Sequence, residues 1–416
     1  MRFAPVLAGL FVLWPVMAAL GAQGFAPMVL LMGVAALVLS RPKWPPAPYF
    51  IVFICFVGWV VATEWWSPRS QELISGSLQG GDFAIRAVSL RIGLAALFCT
   101  LAIAGALRIP DKSANKSARI ILCAFAVHGL MLVAIAIPEV RETVLQWAYR
   151  DDLADISSGQ QNIGRAANAF ALCLPLLVSY LFVRHGWFGK ATTLIIVVSA
   201  VAAFQLLDAS SAVIGALMMI FCMVVVWLAR QSGFRILLSL IGSYIAATPV
   251  IYGIGIATLR DGDVDLPASF QSRVWAWDLV IQKTIERPFM GNGLGASKTW
   301  NETYRAFPEW MAQVPAHWAD YRIIPGHPHN MALQIWAETG VVGSVLSGLA
   351  CVALAFSLPR PKDMRADIRY ATAGLIGVTI TMFSFAYSVW NEAFWASVAM
   401  IVVATIIVAR RDRQSI

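Results

Sequence analysis

Long apolar runs, separated by short polar segments, follow one another through almost the whole chain. Twelve of these runs approach the roughly 20 residues that an α-helix needs to cross the hydrocarbon core of a bilayer. They lie near residues 3–20, 25–40, 48–64, 87–107, 118–137, 167–183, 191–207, 211–229, 235–257, 330–357, 370–387 and 393–409. Because spanning segments must satisfy their own backbone hydrogen bonds, the pattern predicts an all-α polytopic membrane protein with about 12 transmembrane helices.

The polar connections differ in length on the two sides of the predicted membrane. Three connections on one side are long, near residues 65–86, 138–166 and 258–329. The last is far longer than an ordinary connector, and connectors of that kind usually carry a function. Within it, residues 270–286 place apolar side chains at helical spacing, which predicts a helix along the membrane surface. We therefore expect one transmembrane domain, residues 1–416, with loop 258–329 inserted between helices 9 and 10.

Charge fixes the expected orientation of these helices. With the N-terminus inside, the inner segments hold 18 of the 31 basic residues but only four of the 23 acidic ones. Positively charged short connections remain in the cytoplasm, so both termini are predicted to be cytoplasmic and the long loop to face outward. The formal net charge of +8 is then an orientation signal, and no nucleic-acid partner is expected.

The segment Gly326–Gly343, GHPHNMALQIWAETGVVG, places histidines at the mouth of the tenth predicted helix. Since proline suits the first position of a helix, we expect the helix to begin near Pro328 with His329 and Asn330 in its first turn. The helix dipole there opposes a second proton on the imidazole, and the free N–H groups suit a phosphate oxygen. His329 is thus the candidate general base; the alternative is a structural histidine of an outer loop.

A zinc site at this turn is a second interpretation. His327 and His329 form a His-x-His pair, with His317 and Asp320 upstream. Pro328 hinders their convergence and a fourth ligand is not evident, so we expect neither a metal nor a cofactor. The six cysteines all fall within apolar runs, which favours packing over disulfides or metal binding.

Charged residues near the outer boundary are candidates for phosphate binding. A guanidinium keeps its charge and can grip a phosphate through two hydrogen bonds. The candidates are Arg86, Arg91, Arg165 and Arg273. A diphosphate is the favoured partner for the last two, whereas the first two are more readily matched by an internal acid. Glu338 lies half a helical turn out of phase with His329, and Arg91 is its candidate partner.

Three segments resemble one bacterial family. His329-Asn330, nine residues and Gly340-x-x-Gly343 are similar to the H[NSQ]-x9-GxxG signature of O-antigen ligases, within the O-antigen ligase/polymerase superfamily. The upstream SRVWAWDLVIQKTIERPFMGNGLG, which carries Arg273, resembles a second family segment. NIGRAANAFALCLPLL, which carries Arg165, resembles the family's start of a central span. The number of spans and the large loop before the tenth are similar as well.

The resemblance implies a metal-independent, inverting glycosyltransferase in the bacterial inner membrane. It would move O-antigen polysaccharide from undecaprenyl diphosphate to lipid A–core oligosaccharide at the periplasmic face. His329 would deprotonate the acceptor hydroxyl, and Arg165 and Arg273 would hold the departing diphosphate. Further substrate contacts are expected from Arg86, Arg91 and Asn330.

Two other functions stay open on the sequence. An O-antigen polymerase would share the fold and the lipid-linked donor but would use a lipid-linked glycan as acceptor. A proton-coupled transporter would instead use Glu338, His128 and Arg91 as a relay within the membrane.

Overall fold

The computed structural model describes residues 3–22, 24–45, 47–69, 88–149, 153–261, 268–312 and 314–411. Nearly all of these residues that lie outside the large loop are helical. The β-type pairing found among them is an isolated antiparallel bridge between Thr303 and Arg322. The predicted all-α polytopic class is therefore confirmed.

The α-helices of the described residues are numbered in chain order. They are α1 (Phe3–Val12), α2 (Trp14–Ala19), α3 (Phe25–Leu39), α4 (Ala47–Thr63), α5 (Val88–Ala106), α6 (Asp111–Ile135), α7 (Pro138–Tyr149), α8 (Leu153–Arg184), α9 (Gly186–Leu206), α10 (Ser210–Leu228), α11 (Gly233–Asp261), α12 (Ala268–Glu286), α13 (Pro308–Met311), α14 (Met331–Ser357), α15 (Ala366–Phe385) and α16 (Glu392–Arg410). Short 3-10 helices lie at Glu64–Trp66, Ala296–Lys298, Tyr304–Ala306, Ala316–Trp318 and Pro361–Asp363.

Ten of these helices are long and apolar enough to cross a membrane. They are α4, α5, α6, α8, α9, α10, α11, α14, α15 and α16. The first two predicted spans are shorter in the structure. The first is divided into α1 and α2, with Pro15 in the opening turn of α2, and the second is the 15-residue α3.

The two ends of the helix bundle carry different chemistry. At one end, the buried carboxylate of Asp367 binds Arg365 at 2.5 Å and Arg184 at 3.3 Å. These residues belong to segments that the charge pattern assigned to the inner side. Phe385, at the far end of the 20-residue α15, lies about 30 Å away. The carbonyl of Phe385 faces His329, so the basic end and the candidate site are on opposite ends of the bundle.

The large loop has a hydrophobic core of its own. Trp275, Leu279 and Val280 of α12 are buried in one cluster with Leu333 and Ala337 of α14. Burial of such side chains contributes roughly 1.5–3 kcal/mol each, so α12 is a docked element of the fold and not a loose connector. The helix predicted over 270–286 is confirmed as α12, and its packing holds it against the first turns of α14.

Helix α14 is interrupted at Gly340. The backbone there has φ 66° and ψ −168°, a conformation almost restricted to glycine. The segment Pro288–Gly295, called the break loop below, supplies the missing hydrogen bonds. Asn292 N donates to Ala337 O at 2.8 Å and Gly293 N to Glu338 O at 2.9 Å, while Val341 N donates to Pro288 O at 2.8 Å. The tenth predicted span is therefore a broken helix that is completed by a glycine-rich loop.

We predict that Gly340→Ala destabilises the protein strongly. A Cβ there would lie 2.2 Å from the carbonyl oxygen of Phe289, and the backbone conformation alone would cost about 1–3 kcal/mol. Gly253→Ala is the control, because a Cβ at that position in α11 meets nothing within 4 Å. Thermal unfolding of the two purified variants in the same detergent should give a lower Tm for Gly340→Ala only. Equal Tm values would contradict the packing described for the break.

Candidate active site

Asn330 is the N-cap of α14 and does not lie in its first turn. Its Oδ1 accepts hydrogen bonds from the N–H groups of Ala332 and Leu333, both at 3.1 Å. The helix begins at Met331, so the expectation that it begins near Pro328 is wrong. An asparagine side chain that caps two N–H groups fixes the helix start more strongly than a proline two residues earlier. The Asn330 oxygen is thus used by the helix end.

His329 stands immediately before this cap in an unusual backbone conformation. Its φ of 49° lies in the left-handed region, which residues other than glycine seldom adopt. Its N–H donates to Nδ1 of His327 at 3.2 Å, and the two imidazole rings are stacked with centroids 4.1 Å apart. The turn therefore holds the two histidines against each other, a role for His327 that the sequence did not indicate.

The ring of His329 is oriented by the end of α15. Its Nδ1 lies 3.3 Å from the carbonyl oxygen of Phe385. Because a carbonyl only accepts, a neutral imidazole in this contact carries its proton on Nδ1 and keeps a free lone pair on Nε2. Burial and, second, the charge of Arg273 lower the pKa of His329, against an opposing effect of the Phe385 carbonyl. The neutral form thus rests on burial and Arg273, and the expected helix dipole is not needed for it.

His327 is neutral for related reasons. Burial lowers its pKa to about 3, with further contributions from His329 and from the charge of Lys298. Since its Nδ1 accepts the N–H of His329, the proton of a neutral His327 lies on Nε2. The zinc interpretation finds no support here: the described residues contain no group of three or more His, Cys, Asp or Glu side chains placed to hold a metal.

Helix α12 brings Arg273 to the histidine turn. The guanidinium carbon of Arg273 lies 6.0 Å from the ring centroid of Phe385. One turn further along, Trp277 donates its indole N–H to the carbonyl of Pro328 at 2.9 Å. Residues four apart share a helix face, so this hydrogen bond aligns the Arg273 side of α12 with His329.

Arg165 reaches the same region from α8. Its Nη1 donates to Asn162 Oδ1 at 3.1 Å, and Asn168 on the same helix donates to the Tyr387 hydroxyl at 3.4 Å. Burial raises the pKa of Tyr387 to about 12, and the hydrogen bond from Asn168 and the charge of Arg165 both oppose this rise. Tyr387 follows Phe385 by two residues, so Arg165, Arg273 and His329 converge on the connection between α15 and α16.

The other two candidate arginines have different outcomes. Arg86 lies outside the described residues. Arg91 forms an ion pair with Glu392 at 3.1 Å, so its expected pairing with Glu338 is wrong. The reason is that the two acids occupy different layers: Glu392 begins α16 beside α5, whereas Glu338 is enclosed between α14 and the break loop.

Glu338 holds the break of α14 together. It is completely buried, and no cation among the described residues forms an ion pair with it. Its carboxylate accepts five hydrogen bonds: from Gly295 N at 2.5 Å, Ser297 Oγ at 2.6 Å, Ser297 N at 3.4 Å, Gln334 Nε2 at 3.2 Å and Trp390 Nε1 at 2.6 Å. These donors belong to the break loop and its continuation, to α14, and to the α15–α16 connection. One side chain therefore fixes the three segments around His329.

The aromatic residues of the loop divide into two groups. Trp300 and Tyr304 are buried in the loop core. Tyr304 also lines an open cavity of about 510 Å³, together with Trp318, Asp320, Tyr321, Arg322 and Pro325. Pro325 directly precedes the Gly326–His329 turn, so this cavity opens beside the histidines. Its aromatic and polar lining suits a sugar ring better than a lipid chain.

Comparisons with known proteins agree with this arrangement. Residues 194–347 match a family model described as O-antigen ligase, and this range contains Arg273, the break loop, His329 and Gly340. A protein of Rickettsia conorii, provisionally named as a polysaccharide ligase, is 32% identical over 74 residues. That match covers 18% of this chain and 16% of the relative, about a sixth of the relative's length. The chain belongs to the O-antigen ligase superfamily.

We predict that Glu338→Gln lowers stability although it preserves size. An amide group offers one oxygen and two N–H groups where the five donors need two acceptor oxygens, so at least one buried donor loses its partner at a cost of about 1–3 kcal/mol. Glu286→Gln is the control, because that exposed side chain pairs only with Lys283 at the surface. Its effect should stay within about 1 kcal/mol. Thermal unfolding of both variants measures the difference, and equal effects would refute the role given to Glu338.

Proposed function

We propose that this protein is a membrane glycosyltransferase of the O-antigen ligase type. It transfers a polysaccharide from undecaprenyl diphosphate to lipid A–core oligosaccharide, with its site facing the periplasm of a bacterial inner membrane. The observation that carries the proposal is the fixed, neutral imidazole of His329 beside Arg273 at the start of a broken helix. Membership of the superfamily supports glycan transfer of the ligase or polymerase kind.

The chemistry of such a transfer matches the groups present. The acceptor hydroxyl attacks the anomeric carbon, its proton passes to Nε2 of His329, and the bond from that carbon to the diphosphate oxygen breaks. The electron pair of the broken bond leaves with the diphosphate. Arg273 and Arg165 stabilise this departing charge, and attack opposite the leaving group inverts the anomeric centre. The balance needs neither an oxidant nor a metal.

Arg273 couples the donor to the base. In the free protein its charge lowers the pKa of His329, which keeps the imidazole deprotonated. A diphosphate bound to Arg273 would neutralise that charge and so raise the proton affinity of His329 when the acceptor must be deprotonated. The base is then weak while the site is empty and stronger once the donor is in place.

The open cavity beside the turn provides a place for the glycan. Exposed aromatic faces suit the apolar faces of sugar rings, and Asp320 and Arg322 suit their hydroxyl groups. The basic inner connections support the proposed orientation, because they lie at the end of the bundle opposite His329.

Of the alternatives, a polymerase remains the nearer one, since the matched family suits either acceptor. The transporter relay has less support. Arg91 pairs with Glu392, Glu338 is occupied by five donors, and His128 Nδ1 accepts the indole N–H of Trp14 at 3.1 Å. The three proposed relay groups therefore engage separate partners.

We predict that His329→Ala lowers kcat by roughly 10²–10⁴-fold, the usual contribution of a general base. The assay uses the purified full-length protein with undecaprenyl-diphosphate-linked glycan and rough lipopolysaccharide, with and without EDTA. His185→Ala, in the connection between α8 and α9, is the control and should keep normal activity. Growth of the glycan on undecaprenyl diphosphate without lipopolysaccharide would identify a polymerase instead. Unchanged kcat in His329→Ala would remove the base from the proposal.

We also predict that Arg273→Gln shifts the pH dependence of kcat/KM. Activity requires neutral His329, so the rate falls as the pH drops through the lowered pKa of this residue. Removing the Arg273 charge raises that pKa, and the acid-side loss should therefore begin at a higher pH. Arg287→Gln, which removes an exposed charge just beyond α12, should leave the acid limb in place. Superimposable acid limbs for Arg273→Gln and the wild type would contradict the electrostatic coupling.

A further inference from the structure

A second group of cations lies beside the histidine turn, in addition to Arg165 and Arg273. It consists of Arg69, Arg91 and Lys298, called the lysine cluster below. Gly295, with φ 74°, brings the chain against Arg69, since a Cβ there would lie 3.2 Å from both Cδ and Nη1 of that arginine. Three residues later, Lys298 ends the short helix Ala296–Lys298.

The same short helix adjoins the histidines. Ser297 Oγ donates to the carbonyl of Gly326 at 3.5 Å, and Gly326 directly precedes His327. Burial lowers the pKa of Lys298, and the charges of Arg69 and Arg91 lower it further. Glu338 and Glu392 oppose these effects. The three cations are therefore close enough to repel one another.

The lysine cluster carries more positive charge than its surroundings compensate. Glu392 pairs with Arg91, and the carboxylate of Glu338 is filled by its five donors. Arg69 Nη1 and Arg91 Nε are both buried, yet neither has a hydrogen-bond partner within the described ranges. A buried charged donor without an acceptor is costly, so this arrangement is expected where an anion binds.

The two cation groups face different histidines. The charge of Arg273 acts on His329, whereas the charge of Lys298 acts on His327. In an inverting transfer the acceptor approaches the anomeric carbon from the side opposite the leaving group. If Arg165 and Arg273 hold the leaving diphosphate, an anion at the lysine cluster belongs on the acceptor side of the base.

We propose that Arg69, Arg91 and Lys298 form a second anion site, which binds a phosphate group carried by the acceptor saccharide. This inference rests on the proposed function. Two guanidinium groups and an ammonium group offer the bidentate and point-charge contacts that a phosphate uses. The bound phosphate holds the acceptor so that its hydroxyl faces Nε2 of His329. The lysine cluster is thus a determinant of acceptor specificity, separate from the diphosphate cradle.

A binding experiment tests the site without requiring activity. The full-length protein is placed in phosphatidylcholine nanodiscs and titrated calorimetrically with glucose 6-phosphate, with glucose as the uncharged control. We expect the double variant Arg69→Gln/Lys298→Gln to weaken glucose 6-phosphate binding by at least about tenfold. Arg165→Gln/Arg273→Gln should retain binding at the lysine cluster, and Arg141→Gln, at a distant outer helix, should behave as the wild type. Wild-type affinity in Arg69→Gln/Lys298→Gln would overturn the proposal.

Two further arms separate misfolding and lipid headgroups from the proposed ligand. The charge-preserving variant Arg69→Lys/Lys298→Arg should bind within a fewfold of the wild type, which ties the loss to charge and not to folding. Nanodiscs that contain phosphatidylglycerol offer the same phosphate chemistry from the membrane. Should they abolish glucose 6-phosphate binding to the wild type, the site belongs to lipid headgroups and the acceptor assignment is wrong.

The ligation assay then tests the assignment to the acceptor. In Arg69→Gln/Lys298→Gln the KM for rough lipopolysaccharide should rise about tenfold, while the KM for the lipid-linked donor and kcat stay nearly unchanged. With lipopolysaccharide dephosphorylated by aqueous hydrofluoric acid, the variant and the wild type should become alike. A rise in donor KM instead would assign the cluster to the diphosphate and overturn the inference. If the wild type ligates nothing, the proposed function fails, whereas the binding titration still decides whether the anion site exists.

Discussion

The arrangement around residue 329 depends on the carboxylate of Glu338. A helix that crosses a membrane cannot leave backbone groups without partners, and α14 loses its regular pattern at Gly340. The break loop replaces the missing backbone bonds, and Glu338 then ties that loop to the α15–α16 connection through Trp390. Because the same connection orients the ring of His329, one buried acid determines both the break and the position of the candidate base.

Electrostatics gives this scaffold its chemical character. His329 is kept neutral by burial and by Arg273, and His327 by burial, His329 and Lys298. The histidine turn thus lies between two groups of cations, and each is incomplete without an anion in the proposed function. A transfer between two acidic, lipid-bound saccharides would satisfy both at once, whereas a transporter relay would leave the second group without a purpose.

Sequence periodicity was sufficient for the helices, and the spacing of His329, Arg273 and Arg165 sufficed to nominate residues that the structure brings together. The break at Gly340 was not predictable in that way, because the residues that complete it lie some 50 positions earlier. Treating α14 as an ideal helix also turned Glu338 away from the site and suggested Arg91 as its partner. The start of α14 was misplaced since Asn330, and not Pro328, caps it. The pairing of Arg69 with Gly295 is a tertiary contact without any local signal.

The interruption of α14 also has a consequence for depth. Gly340 lies nine residues into the helix, about 14 Å below its first turn. The polar backbone of Pro288–Gly295 therefore descends a comparable distance into the thickness of the bilayer, which would be forbidden to a segment surrounded by hydrocarbon. A lipid-linked sugar would meet a hydrophilic recess below the level of the headgroups. Its reactive end could sink toward the protein while its tail stays in the leaflet, so extraction from the membrane would not be required.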